Sequence, residues 1–163
     1  MDGVGTADPE VSMSVERAQE LARGRFVGER FNCAEASLLG LAEAFGLPCE
    51  CLPRIATGFG GGIGGCGEAC GALVGATMAL GLKYGRERGD DIESKQKLGA
   101  MVRGMIQAFE AEFGSARCID LTECDMRTPE GMQEAIDRRL HDDFCPKFVE
   151  FAVAHAGEIL NRE

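Results

Sequence analysis

The sequence predicts an all-α, single-domain protein, a bundle of about six helices with a glycine-rich loop just before the central one. Three observations predict it. Apolar residues step by three and four through several stretches, the spacing of one buried helix face. Capping residues stand before these stretches and glycine often follows them. No stretch makes a convincing strand with the period-two alternation of a half-buried sheet. At 163 residues and 45% hydrophobic content the chain has the size of one ordinary domain with a real core.

Taken in order, residues 1–13 are expected to form a flexible tail and 14–163 the helical domain. Val15, Ala18, Leu21, Ala22 and Phe26 mark a first amphipathic helix, with Ser14 as its cap and Glu16 in its first turn. Asn32 followed three residues later by Glu35 has the form of a capping box, opening a second helix from Cys33 to about Phe45 that stops at Gly46. A turn over 48–53 leads to the glycine-rich stretch Gly58–Gly67, too rich in glycine for a helix interior or a good strand. From about Glu68 a helix begins in which Gly71, Gly75 and Ala79 recur every four residues. That flat strip admits another backbone closely, which places this helix at the centre of the bundle, finishing near Lys83 and Tyr84. Asp90 to Phe113 is the clearest helix, with Leu98, Met101, Val102, Met105, Ile106, Phe109 and Phe113 in register and Gly114 after it. Ser115 to Arg127 reads as irregular. Thr128-Pro129-Glu130 then starts a short helix to Leu140, and Cys145-Pro146 starts the last one.

Composition excludes several functions. With 17 basic against 27 acidic residues the formal charge is −10, so the chain repels phosphate backbones and anionic membrane surfaces, and neither nucleic acid nor membrane is an expected partner. The longest nearly uncharged apolar run, Ala69 to Leu82, is 14 residues and falls short of the roughly 20 needed to span a bilayer. Met1 to Ser14 has no basic or apolar leader pattern, so a cytoplasmic location is expected.

The cysteines carry the chemistry. Eight of them, at 33, 49, 51, 66, 70, 118, 124 and 145, exceed what packing needs, and with no export signal they point to metal binding or thiol chemistry rather than to a disulfide framework. Cys33, Cys66 or Cys70, and Cys145 fall at expected helix starts, where unpaired N–H groups and the helix dipole favour a thiolate with a lowered pKa. The glycine loop beside them could bring backbone N–H groups to sulfur. It lacks Gly-Lys-Ser/Thr and follows no strand, so it is not a phosphate loop. Cys49 and Cys51 read as accessory thiols, His141 and His155 as surface or helix-face residues, and Glu68 as a possible acid beside a cysteine motif, while capping accounts for Glu35.

Asn-Cys-Ala-Glu at 32–35, Gly-Phe-Gly-Gly-Gly-Ile-Gly at 58–64, Cys-Gly-Ala-Leu-Val-Gly at 70–75, Gly-Leu-Lys-Tyr-Gly at 81–85, Cys118 with Leu-Thr-Glu-Cys at 121–124, and Cys145-Pro146 together resemble the C_GCAxxG_C_C family, whose label names redox activity as its assigned chemistry and no substrate. The resemblance runs from about residue 14 onward. It departs from the family label at 70–72, where Cys-Gly-Ala replaces Gly-Cys-Ala. It implies Cys33, Cys70, Cys118 and Cys145 as the defining set, with Cys66 and Cys124 as accessory candidates. The chain is also similar to the helical part of split-Soret cytochromes, but it has no Cys-x-x-Cys-His, so no covalent haem is expected.

Four cysteines on four elements suit an iron-sulfur cluster or another thiolate-bound metal for electron transfer, since such a site needs sulfurs convergent in space, not in sequence. Zinc-finger spacing is absent. The rivals are a metal-free dithiol/disulfide oxidoreductase, for example through Cys33 and Cys70, and a structural module with inert buried cysteines. Expected partners are a redox protein or a small oxidant or reductant, and the flat small-residue helix is compatible with a homodimer.

Overall fold

The computed structural model describes residues 9–47 and 49–162, with side chains from Ser14 onward. Among them are no strands, only one isolated bridge between Ala69 and Arg117. The α-helices are α1 (Pro9–Arg23), α2 (Cys33–Ala44), α3 (Gly71–Tyr84), α4 (Ile92–Phe113), α5 (Cys118–Thr122), α6 (Pro129–Asp137) and α7 (Pro146–Leu160). Single π turns follow α1 (Gly24–Gly28) and precede α7 (Leu140–Phe144), and a 3-10 turn (Arg54–Phe59) precedes the glycine loop.

The all-α class stands, with two local corrections. The first helix begins at Pro9, so Ser14 lies inside it rather than capping it; the rest of the expected tail, residues 1–8, lies outside the described residues. The segment read as irregular contains the short helix α5, which raises the number of helices above six.

Most boundaries follow the capping chemistry. Asn32 Oδ1 accepts from the N–H groups of Ala34 and Glu35 at 3.0 Å, while Glu35 returns a carboxylate to the Asn32 N–H at 2.8 Å, completing the capping box of α2. Asp91 caps α4, Thr128 caps α6 ahead of Pro129, and Gly114 ends α4 in the left-handed conformation.

Helices α1, α2, α3 and α7 form the core, with α4 against α3 and α7. Close backbone approach brings the first three together. A β-carbon on Gly40 would stand 2.7 Å from the Ala22 β-carbon of α1, and one on Gly75 would overlap the Ala34 carbonyl of α2. Leu38, Leu41, Leu80, Met105, Phe109, Val149 and Val153 fill the interior, each contributing roughly 1.5–3 kcal/mol by its burial. Phe109 and Phe113 lock α4 onto Phe148 and Phe151 of α7, with ring centroids 4.9–5.8 Å apart. At the far end of α3, Tyr84 and Lys83 donate to the last carbonyls of α7. The other end of the bundle collects the starts of α2, α3, α5 and α7.

Candidate thiolate site

Each of the four cysteines of the expected set stands at a helix start. Cys33 is the first residue of α2 and Cys118 of α5, whereas Cys70 and Cys145 immediately precede α3 and α7. The connection between α3 and α5 is made by backbone: Cys70 N–H donates to Ala116 O at 2.8 Å and Cys118 N–H to Glu68 O at 2.7 Å. The start of α2 is held to the 3-10 turn by Asn32 Nδ2, which donates to Thr57 O at 2.9 Å, and by Thr57 Oγ1, which donates to Glu35 at 2.6 Å.

The glycine loop fills the space between them. Gly61, Gly62, Ile63, Gly64 and Gly65 form five consecutive left-handed residues, a turn that L side chains strongly disfavour. Its backbone closes on itself through Gly64 N–H to Gly58 O (2.8 Å), Gly67 N–H to Gly61 O (3.1 Å) and Glu68 N–H to Gly62 O (2.9 Å). It also closes on the site. A β-carbon at Gly62 would stand 2.6 Å from that of Cys118, one at Gly67 2.7 Å from that of Ile119, and one at Gly71 would overlap the Cys33 sulfur. Backbone N–H groups of Gly61 in the loop, and of Ala34 and Gly71 at the starts of α2 and α3, favour the Cys33 thiolate and oppose the effect of its burial.

The four thiols share one electrostatic environment. Burial raises the Cys70 thiol well above its ordinary value, and the proximity of Cys33, Cys118 and Cys145 pushes it further. Cys145 is pushed up to about 12 by burial and then by Cys33 and Cys118; Cys118 reaches about 11 through burial and Cys33, with the Thr122 hydroxyl opposing. Burial also raises Cys33 against its N–H donors. These directions correct the expectation of lowered values at helix starts, because desolvation of the thiolate and repulsion among neighbouring sulfurs outweigh the dipole.

A cavity of about 290 Å³ opens beside Cys33, Cys118 and Cys145, with Gly61 and Met126 in its wall. His141 lines it too, half-buried and stacked on Phe26 with ring centroids 3.9 Å apart. The expected surface or helix-face place of His141 is replaced by a half-buried one in the π turn before α7.

The accessory candidates part ways. Cys124 is buried next to the site, its sulfur accepting from Arg138 Nη1 at 3.1 Å, and it adds to the repulsion felt by Cys118 and Cys145. Cys66 is exposed in the glycine loop, away from any helix start. Cys49 and Cys51 are not the free thiols expected but a disulfide, their α-carbons 5.4 Å apart. Glu68 is exposed and pairs with Arg117 at 3.8 Å.

By donor type the four sulfurs suit a thiolate-bound group, and three of them, Cys33, Cys118 and Cys145, line one cavity. Among the described residues no three His, Cys, Asp or Glu side chains are grouped closely enough to hold a metal ion. No helix of the described residues is long and apolar enough to cross a membrane.

No curated protein and no solved structure matches the chain. Residues 31–159 match the family model described as "Putative redox-active protein (C_GCAxxG_C_C)", a span that begins just before Cys33 and ends beyond Cys145. The chain belongs to the C_GCAxxG_C_C family.

Proposed function

We propose that this protein is an electron carrier or small redox catalyst that takes up an iron-sulfur cluster on Cys33, Cys70, Cys118 and Cys145. The observation that carries the reading is the mutual placement of four thiols whose burial and repulsion hold them protonated. Such a set lacks a charge of the opposite sign, and a bound metal centre supplies it by displacing the protons. In a four-iron cluster each iron takes one thiolate, which spreads the ligands wider than a single ion does, and sulfurs that share one field without being grouped around one ion are compatible with that spread.

The same raised values weigh against the metal-free exchanger through Cys33 and Cys70, since a thiol held well above neutral pH offers little thiolate for attack. When bound, the cluster supplies a one-electron couple. The chain's own residues bind it and screen it from water: the Gly61 and Gly71 N–H groups support the Cys33 sulfur, and Phe26, Met126 and Leu140 wall the cavity with apolar surface. A cytoplasmic location, a redox protein or small molecule as partner, and a homodimer belong to this proposal.

Anaerobic reconstitution with iron and sulfide tests it. Wild type should acquire a visible absorption band with iron and sulfide in comparable amounts, and Cys→Ser at 33, 70, 118 or 145 should abolish or sharply reduce it. A colourless product, or a cluster indifferent to these four changes, would sink the reading.

A further inference from the structure

The Cys49–Cys51 disulfide lies beyond the end of α2 opposite Cys33. Cys33 opens that helix, and the Cys49–Cys51 disulfide follows its last residue, Ala44, so the helix alone separates the two ends by about 17 Å. The bond spans a single intervening residue, so it removes little chain entropy from the unfolded state and is a poor staple. Both sulfur-bearing residues are only half-buried. The turn around them is held without sulfur, by Leu52 N–H to Cys49 O at 3.1 Å and Ile55 N–H to Cys51 O at 3.2 Å, so breaking the S–S bond leaves its backbone supports in place.

A shallow cleft of about 550 Å³ adjoins the disulfide, floored by Leu39, Ala42, Gly46 and Leu52, with Glu43 and Glu50 among its lining residues. Arg25 pairs with Glu43 at 3.0 Å, while Glu50, between the two cysteines, is exposed. The approach to the sulfurs is therefore apolar with a negative group beside it.

We infer that Cys49–Cys51 is a thiol–disulfide exchange site that accepts electrons from a dithiol with an apolar body and a neutral or positive charge. This does not rest on the cluster reading. A substrate thiolate attacks one sulfur, forming a mixed disulfide as the Cys49–Cys51 bond breaks, and the released cysteine thiolate takes up a proton. The second substrate thiol, losing its own proton, then displaces the cysteine held in the mixed disulfide. Two electrons and two protons pass to the pair, the substrate leaves as a disulfide, and a small-molecule disulfide restores the site by the reverse exchange.

The test uses the full-length protein in glutathione buffers of graded ratio, quenched by acid and alkylation, with Cys49 and Cys51 read by peptide mass. The pair should pass reversibly between disulfide and dithiol with a single midpoint. At low salt, cysteamine should reduce it several-fold faster than mercaptoethanesulfonate. Oxidation of a reduced model peptide by glutathione disulfide should be faster with wild type than with C49S or C51S, and unaffected by C66S. A pair that stays oxidised in excess reduced glutathione, or stays as free thiols in glutathione disulfide, overturns the site whether or not the variants fold. Equal catalysis by C49S and C51S overturns the activity, and equal rates with the two thiols overturn the charge preference. None of these readings changes with cluster content, so failure here and failure of reconstitution remain separate results.

Discussion

At the scale of single residues, the site is defined by how poorly a thiolate is tolerated in it. Cys118, at about 11, carries about a hundredfold less thiolate at neutral pH than a thiol titrating at 9.0. In metal-free, reduced protein at pH 8, iodoacetamide should therefore label exposed Cys66 well before Cys118 and Cys145, as site-resolved mass spectrometry will show; equal rates would mean that these thiols are open to water. Glycine marks the same site sterically. Gly71→Ala drives a methyl group into the Cys33 sulfur and toward Phe59 O at 2.9 Å, and should cost about 1–3 kcal/mol in denaturant unfolding as well as cofactor loading. Gly81→Ala, in the same helix with nothing within 4 Å of the added carbon, should be neutral or stabilising by up to about 1 kcal/mol.

At the scale of elements, the left-handed turn is the feature that sequence reading described least well. Ten residues holding seven glycines could be recognised as neither helix nor strand, but not as a turn of reversed hand, because glycine permits both hands and only the packing against α5 selects one. Two substitutions separate hand from packing. Gly64→Ala, at φ +63° with open space around it, should cost only the conformational penalty of about 1–2 kcal/mol. Gly62→Ala, at φ +72° with Cys118 Cβ and Glu68 N each 2.6 Å away, should cost more than that in the same unfolding assay; equal costs would mean the loop gives way freely. The helices were legible where caps and periodicity agreed, as at Asn32, Thr128 and Gly114. The five residues of α5 are too few to show a period, and the start at Pro9 was hidden behind the better-looking cap at Ser14. Helix-start positions for Cys33 and Cys145 were likewise legible, but the sign of their pKa shifts was not, since burial belongs to the tertiary structure. The Cys49–Cys51 pairing also escaped the sequence reading, because it depends on the turn's local geometry.

At the scale of the whole molecule, folding forces sulfurs from four elements into one poorly solvated region, and this couples stability to pH. In the unfolded, metal-free chain these thiols lose their protons near the ordinary value of 9.0; in the folded chain Cys118 holds its proton to about 11 and Cys145 to about 12. Below pH 9 both states are protonated and the folded state keeps its full stability. Between pH 9 and about 12 the folded state binds more protons than the unfolded one, so stability falls as pH rises, by up to about 1.4 kcal/mol per pH unit for each such thiol. Lysine and tyrosine titrate in the same window, so the measurement is a comparison of slopes. Denaturant unfolding of metal-free protein between pH 8 and pH 10.5 should fall less steeply for C118S and C145S than for wild type. The same protons must leave when a metal centre binds, so loading should tighten as pH rises from 6 to 8 and release acid into a weakly buffered solution. Identical slopes in all three proteins, together with loading that releases no protons, would show that these sulfurs do not stand in one buried field.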